Sequence, residues 1–248
     1  MLAKIGVVFL LAVLAVIPVR ADNADAARAV LDKAIHAMGG EAQLGKLKAS
    51  SLKMKGDLQS QGAKVPFSGD VQTQGADQHK VVIEAVFGGQ KLVIVQVLNR
   101  DRGWVKINDT TIEMDKDKLA EALEQAHTGW VTSLVPLKDK GFKLDTIGEV
   151  QVESQPAIGI RVSHAGHRDV NLFFDKKTHL MVKTETRLKD DETNQEVTQE
   201  SFLGGYDGKD IQQALKLTIK RDGKLHLEAE LSDVKLEEKL DDSVFAKP

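Results

Sequence analysis

Cysteine is absent from the 248-residue chain, which rules out a disulfide framework, thiol catalysis, thiolate metal ligation and a lipid-modified N-terminal Cys. Aromatic residues are scarce at 4%, so a core has to be filled by Val, Leu, Ile and Ala, whose surfaces suit aliphatic contents better than base stacking. No basic cluster stands out and the formal net charge is −3, so nucleic acid is disfavoured as a partner. With 29% charged and 42% hydrophobic residues, the composition fits one soluble domain of all-β or α+β class with a sizeable core.

Long apolar runs are missing with one exception. Lys4 precedes an apolar run over residues 5–17, and Val19-Arg20-Ala21 follows as a small-residue cleavage site. The run is shorter than the roughly 20 residues that span a bilayer. Residues 1–21 are therefore expected to be a secretory signal peptide, leaving a single soluble periplasmic domain over 22–248. Loss of Lys4 and Arg20 leaves 32 basic residues against 37 acidic ones, a net charge of −5.

What is present in quantity is strand alternation. The stretch from Arg168 to Leu188 reads as a hairpin with Val170, Leu172 and Phe174 on one side, and Leu180 and Val182 placed to pair on that same side. Its turn is Asp175-Lys176-Lys177-Thr178: Asp175 can accept from the following amides, and His179 falls where a positive φ would favour Gly. Upstream, Leu52, Met54 and Leu58 alternate with charged residues, as do Val65, Phe67 and Val71. Val81, Ile83, Ala85 and Phe87 form a row before the turn Gly88-Gly89, and residues 91–98 are apolar on both faces. Further strand signals fall at 104–107, 111–114, 142–152, 157–163, 196–202, 215–219 and 225–236, the last needing a bulge near Ser232-Asp233 to reconcile its parity.

Two segments break the pattern with helical spacing. Ala27, Val30, Leu31, Ala34, Ile35 and Met38 share a stripe, with Asn23 as N-cap and Gly39-Gly40 as the stop. Leu119, Ala122, Leu123, Ala126 and Trp130 form a second stripe over 115–128, inserted between strands and suited to lie across one mouth or face of the sheet. The fold class expected is α+β, mainly antiparallel β: a curved, partly open barrel of about eleven strands with an N-terminal helix and an inserted helical lid.

Catalytic signatures are lacking. No Gly-x-Ser-x-Gly or phosphate loop occurs, and His167-Arg168-Asp169 lacks the Asn that a kinase catalytic loop carries five residues later, where Phe174 stands. His164 and His167 surround Gly166 between strands and read as a solvated turn, and His127 reads as an exposed or capping residue at the end of the inserted helix. No catalytic residue, cofactor or metal site is assigned. The abundant branched aliphatic surface can either fill an ordinary core or enclose a hydrophobic cavity.

A resemblance favours the cavity. Ala157-Ile158-Gly159-Ile160, Gly166-His167-Arg168-Asp169-Val170, the run from Leu172 to Lys183, and the ending LEEKLDDSVFAKP at 236–248 are similar to exported bacterial proteins of the LolA/LolB-like lipoprotein-carrier superfamily. Leu31-Asp32-Lys33-Ala34-Ile35 with Met38-Gly39-Gly40 resembles them as well, whereas His179 departs from the Gly usual there. The resemblance implies an unclosed barrel with a helical lid, used by characterised members to shield acyl chains in the periplasm.

The reading that follows is a monomeric, non-enzymatic carrier of a lipid or lipidated protein, with envelope membrane proteins as further partners. Val81, Ile83, Val93 and Val95 are expected to line the cavity as one patch, and Leu119, Leu123 and Trp130 to face it from the lid. Two alternatives stand beside it: an envelope sensor or scaffold that binds a protein partner, and a hydrolase whose site is assembled from distant residues.

Overall fold

The computed structural model describes residues 20–60, 62–190 and 193–248. Residues 1–19, which hold the apolar run of the expected signal peptide, lie outside the described residues. The first helix, α1 (Arg20–Met38), begins ahead of Asn23, so Asn23 is a helical residue and not the cap. The C-terminal stop is the expected one. Gly39 and Gly40 take φ of 132° and 85°, and the amide of Gly40 donates to the carbonyl of Ile35 at 2.8 Å, satisfying an end-of-helix acceptor. A single turn, α2 (Glu41–Leu44), leads into the sheet.

Six strands then form a meander: β1 (Ala49–Ser60), β2 (Ala63–Gln74), β3 (Gln78–Phe87), β4 (Gln90–Asn99), β5 (Arg102–Ile107) and β6 (Thr110–Glu113). The helix α3 (Lys116–Val131) follows, capped by Asp115, whose carboxylate accepts from the Lys118 amide at 2.9 Å. After a 3₁₀ turn at Val135–Lys138 comes a second meander: β7 (Phe142–Val152), β8 (Gln155–His164), β9 (Val170–Asp175), β10 (Met181–Lys189), β11 (Glu196–Gly204), β12 (Lys216–Arg221) and β13 (Lys224–Glu237). All thirteen strands among the described residues belong to one antiparallel sheet, two more than expected, in the order β6-β5-β4-β3-β2-β1-β13-β12-β11-β10-β9-β8-β7. The sheet is open, with β6 and β7 as its edges. The two meanders meet at one seam, the pairing of β1 with β13.

The sheet has to curl. Sixteen residues make α3 about 24 Å long, yet it packs against β4 and β5 and also against β10. Between β4 and β10 lie seven strand spacings, about 34 Å along the sheet. Only a sheet bent toward the helix lets the shorter element touch both. Two glycines in the floor allow close backbone approach: a Cβ on Gly56 would sit 1.8 Å from the carbonyl oxygen of Glu228, and one on Gly69 would sit 2.6 Å from that of Val82.

Following the register from strand to strand separates an inner face, on which both long helices lie, from an outer one. On the inner face α1 buries Ala27, Leu31, Ala34 and Ile35 against Leu144, Ile160, Val162, Leu172, Phe174 and Met181. This is the main core, and each fully buried large side chain contributes roughly 1.5–3 kcal/mol. On the outer face Val97 and Trp104 are covered by Phe245 from the C-terminal segment, and Phe173 packs with Val152 and Ala157.

The hairpin of β9 and β10 has its expected turn. Asp175 Oδ1 accepts from the amides of Lys177 and Thr178 at 2.9 and 2.6 Å, and His179 adopts φ 59°. Its pairing differs from expectation. Met181 lies opposite Phe174, and a bulge before Lys183 brings Thr184 opposite Leu172, so Met181 joins the core while Val182 packs on the outer face. The bulge expected near Ser232-Asp233 is present, with Asp233 at φ 51°.

Candidate functional site

Away from α1 the inner face changes character. Met54 on β1, Val71 on β2, Val81 and Ile83 on β3, Ile94 on β4, Leu217 and Ile219 on β12 and Leu227 on β13 are turned inward by their register, and every one is only half-buried. They form an apolar trough centred on the seam between the meanders. Ile83 lies flat over Gly69, where an added Cβ would meet its Cδ1 at 2.8 Å. His79, on the same row of β3, is held neutral by this environment: burial lowers its pKa to about 4. At the rim of the same half, Val86, Phe87, Ile107 and Ile112 are exposed, Val86 by 60% and Ile112 by 59%.

The expected cavity patch splits. The turn at Gly88-Gly89 pairs Phe87 with Gln90, so Val81 faces Gln96 and Ile83 faces Ile94. A two-residue loop makes facing residues opposite in parity. Val93 and Val95 therefore lie on the outer face, opposite Glu84 and Val82, and Val95 packs beside Val97 and Trp104. Of the three lid residues, Leu119 rests over Gly103 on β5, with its Cδ1 3.3 Å from a Cβ built there, and Leu123 is half-buried. Trp130 does not reach the trough. It packs on the α1 core and against Phe142, with ring centroids 5.5 Å apart.

The helix across the trough is firmly attached at one side. Glu121 accepts a bidentate pair from the Arg168 guanidinium at 2.8 and 2.9 Å and the Lys189 amide at 3.1 Å. Glu124, one turn on, accepts from His167 Nδ1 at 2.8 Å and from the Arg168 amide at 3.0 Å. The Glu121 hydrogen bond raises the Arg168 pKa further above its usual value. At its other side α3 makes apolar contact with β4 and β5.

Three histidines meet where α3 crosses the end of β8. The turn from His164 to His167, closed by the His167 amide on the His164 carbonyl at 3.1 Å with Gly166 at φ 86°, lifts His167 back toward the helix. His127 stacks on His167 with ring centroids 3.6 Å apart, and its Nε2 lies 3.0 Å from His164 Nδ1. His127 is 3% exposed and its Nδ1 has no hydrogen-bond partner among the described residues. Its pKa is lowered to about 4, first by burial and then by the two neighbouring imidazoles. The sequence reading of His127 as exposed and of His164 and His167 as a solvated turn is thus corrected: 37 residues separate His127 from His164, and the contact depends on where α3 docks.

A polar cleft of about 400 Å³ lies elsewhere, lined by Arg161, Asn171, Glu185, Arg187 and Thr198 on the outer face. Nearby, Lys183 bridges Glu185 and Glu200 above the rings of Phe173 and Phe202. This surface is separated from the trough by the thickness of the sheet. No helix among the described residues is long and apolar enough to cross a membrane.

Comparison of the whole fold with solved structures places it among proteins of LolA-like architecture. A LolA-superfamily protein from Nitrosomonas europaea matches with a TM-score of 0.57 at 13% identity, covering 89% of this chain and 97% of that one. A DUF1329-family protein from Desulfovibrio piger gives 0.55 at 12% identity, covering 89% and 97%. A domain assigned to outer-membrane lipoprotein sorting from Vibrio parahaemolyticus gives 0.55 at 10% identity, covering 91% and 98%. No family model and no curated protein matches at the sequence level. The chain has the LolA-like fold: an open, curved antiparallel sheet with an N-terminal helix and a helix across its inner face.

Proposed function

We propose that the protein is a periplasmic carrier that shelters the acyl chain of a lipid or lipidated protein in the trough between β1–β4 and β12–β13, with no catalytic step. The observation that carries this reading is the run of half-buried aliphatic side chains on the inner face, in a protein whose inner face over β7–β10 is sealed by α1. Flexible aliphatic ligands match a wall poor in aromatics and hydrogen-bonding groups. Export, inferred from residues 1–21, supplies the compartment, and the lipoprotein-sorting domain that shares the fold has a corresponding task.

Native mass spectrometry of protein isolated from the cell envelope is the direct test, with titration of a fluorescent fatty acid as its counterpart in vitro. Co-purified lipid and saturable binding lost on Ile83→Asp are the expected results. A ligand-free protein that does not bind the probe removes the reading.

The second reading, a sensor or scaffold that grips a protein partner, is favoured by the exposed rim of Val86, Phe87, Ile107 and Ile112 beside the open edge of β6. A stoichiometric partner recovered equally from delipidated protein, and lost on Ile112→Lys, distinguishes it from the carrier.

A further inference from the structure

The histidine cluster beneath α3 takes no part in the trough, and its chemistry points elsewhere. One ring nitrogen from each of His127, His164 and His167 lies within 4.8 Å of the other two. Three imidazoles gathered this closely, one of them buried, gain little as a hydrogen-bonded cluster: His127 Nε2 meets His164 Nδ1 at 3.0 Å, and His127 Nδ1 is buried without a partner among the described residues.

The carboxylate beside the cluster prepares the rings for a cation. Glu124 accepts from the Nδ1 of His167 at 2.8 Å, which leaves Nε2 as the nitrogen of that ring placed to ligate. A carboxylate holding the far nitrogen of a histidine is how metal-binding imidazoles are oriented and made more basic. Glu124 and His127 are three residues apart on α3, so the helix presents both on one face.

From this geometry we infer that His127, His164 and His167 form a binding site for a first-row divalent cation of the Zn²⁺ type, with Glu124 as the carboxylate that orients His167. Neutral imidazoles suit Zn²⁺ and its neighbours and suit Mg²⁺ or Ca²⁺ poorly. Around a tetrahedral ion with Zn–N near 2.0–2.1 Å, nitrogens sit roughly 3.3 Å apart. The separation of 3.0 Å between His127 Nε2 and His164 Nδ1 is close to that, and His167, stacked on His127 with an interplanar angle of 4°, has to turn out of the stack for its lone pair to reach the same ion. Because His127 stands on α3 and the other two flank the β8–β9 turn, a bound ion fastens the crossing helix to the second meander. The site does not depend on what the trough holds.

The test is a Zn²⁺ titration of the full chain after chelator dialysis, read by competition with a chromophoric chelator, with Co²⁺ substitution reporting geometry. One equivalent is expected to bind, with the absorption of tetrahedral N/O-ligated Co²⁺ and slower hydrogen exchange in α3. His127→Gln fills a sealed position and risks the fold, so the deciding variants are His164→Gln and His167→Gln, both nearer the surface. Each is expected to weaken Zn²⁺ binding by more than tenfold and their combination to abolish the Co²⁺ spectrum, with far-UV dichroism unchanged. Glu124→Gln is expected to weaken binding by about 10- to 100-fold, the range for a partner that orients a ligand. Failure of the wild type to bind one equivalent, or equal binding by the double histidine variant, overturns the site.

Discussion

Two stretches of one inner face, equally apolar in sequence, end in different states. On β8 and β9, Ile160, Leu172 and Phe174 are sealed under α1, whereas on β3 and β4, Val81, Ile83 and Ile94 remain half-exposed. The difference is one of supply. A helix is about 10 Å across, the width of roughly two strand spacings, and α1 packs along β7 and β8. Thirteen strands offer far more inner surface than α1 and α3 can cover. Hydrophobicity thus marks positions that can take a neighbour, and helix docking decides which of the inner ones are covered.

The sharpest way to break this comparison is to truncate matching residues on its two sides. Leu172→Ala in the sealed half is expected to cost about 2–5 kcal/mol through lost contacts and a new void. Urea unfolding should show that loss unchanged by added fatty acid. If the ligand restores it, the two halves are not distinct.

A pH profile probes the trough from within. His79 has a folded pKa of about 4 against an ordinary value of 6.5, so the unfolded chain binds its proton first as the pH falls. Its contribution is intact above pH 6.5, declines between 6.5 and 4, and is fully lost below that. At 1.4 kcal/mol per unit the loss amounts to at most about 3.5 kcal/mol. Comparing the wild type with His79→Leu isolates this part from that of the other histidines. Identical profiles would place His79 in water.

Smaller effects refine the picture. On the carrier reading Ile83→Ala should cost roughly 1–3 kcal/mol, near the transfer contribution alone, and bound fatty acid should enlarge the difference. A ligand-independent loss matching that of Leu172→Ala would mean a filled core on both sides. Leu123→Asp on α3 is expected to cost less than about 1 kcal/mol while weakening fatty-acid binding about tenfold, a difference of 1.4 kcal/mol in affinity. Unchanged affinity shows that the helix packs without touching ligand.

Legibility in the sequence followed the range of the interactions. Alternation located the strands, Gly39-Gly40 ended α1, Asp175 made its turn and the parity change at Ser232-Asp233 revealed a bulge, because each is decided within a few residues. The chain also carried enough of its fold for the LolA-like architecture to be legible from turns and termini. Facing relations were harder. Val93 and Val95 were assigned to the wrong side by parity across Gly88-Gly89, though the two-residue loop itself held the signal. Val182 was displaced by a bulge that nothing local announces. The histidine cluster was illegible for a stronger reason: only the docking of α3, fixed by Glu121 and Arg168 from segments 47 residues apart, brings His127 to His164.

The seam between β1 and β13 has a bearing on how the molecule comes into being. Within each meander every strand pairs with its neighbour in the chain, so the two half-sheets can close through short loops and early. Their union has to wait for residues 224–237 to find residues 49–60, across most of the chain. The trough straddles this junction. Its walls are therefore complete only when the last strand has arrived.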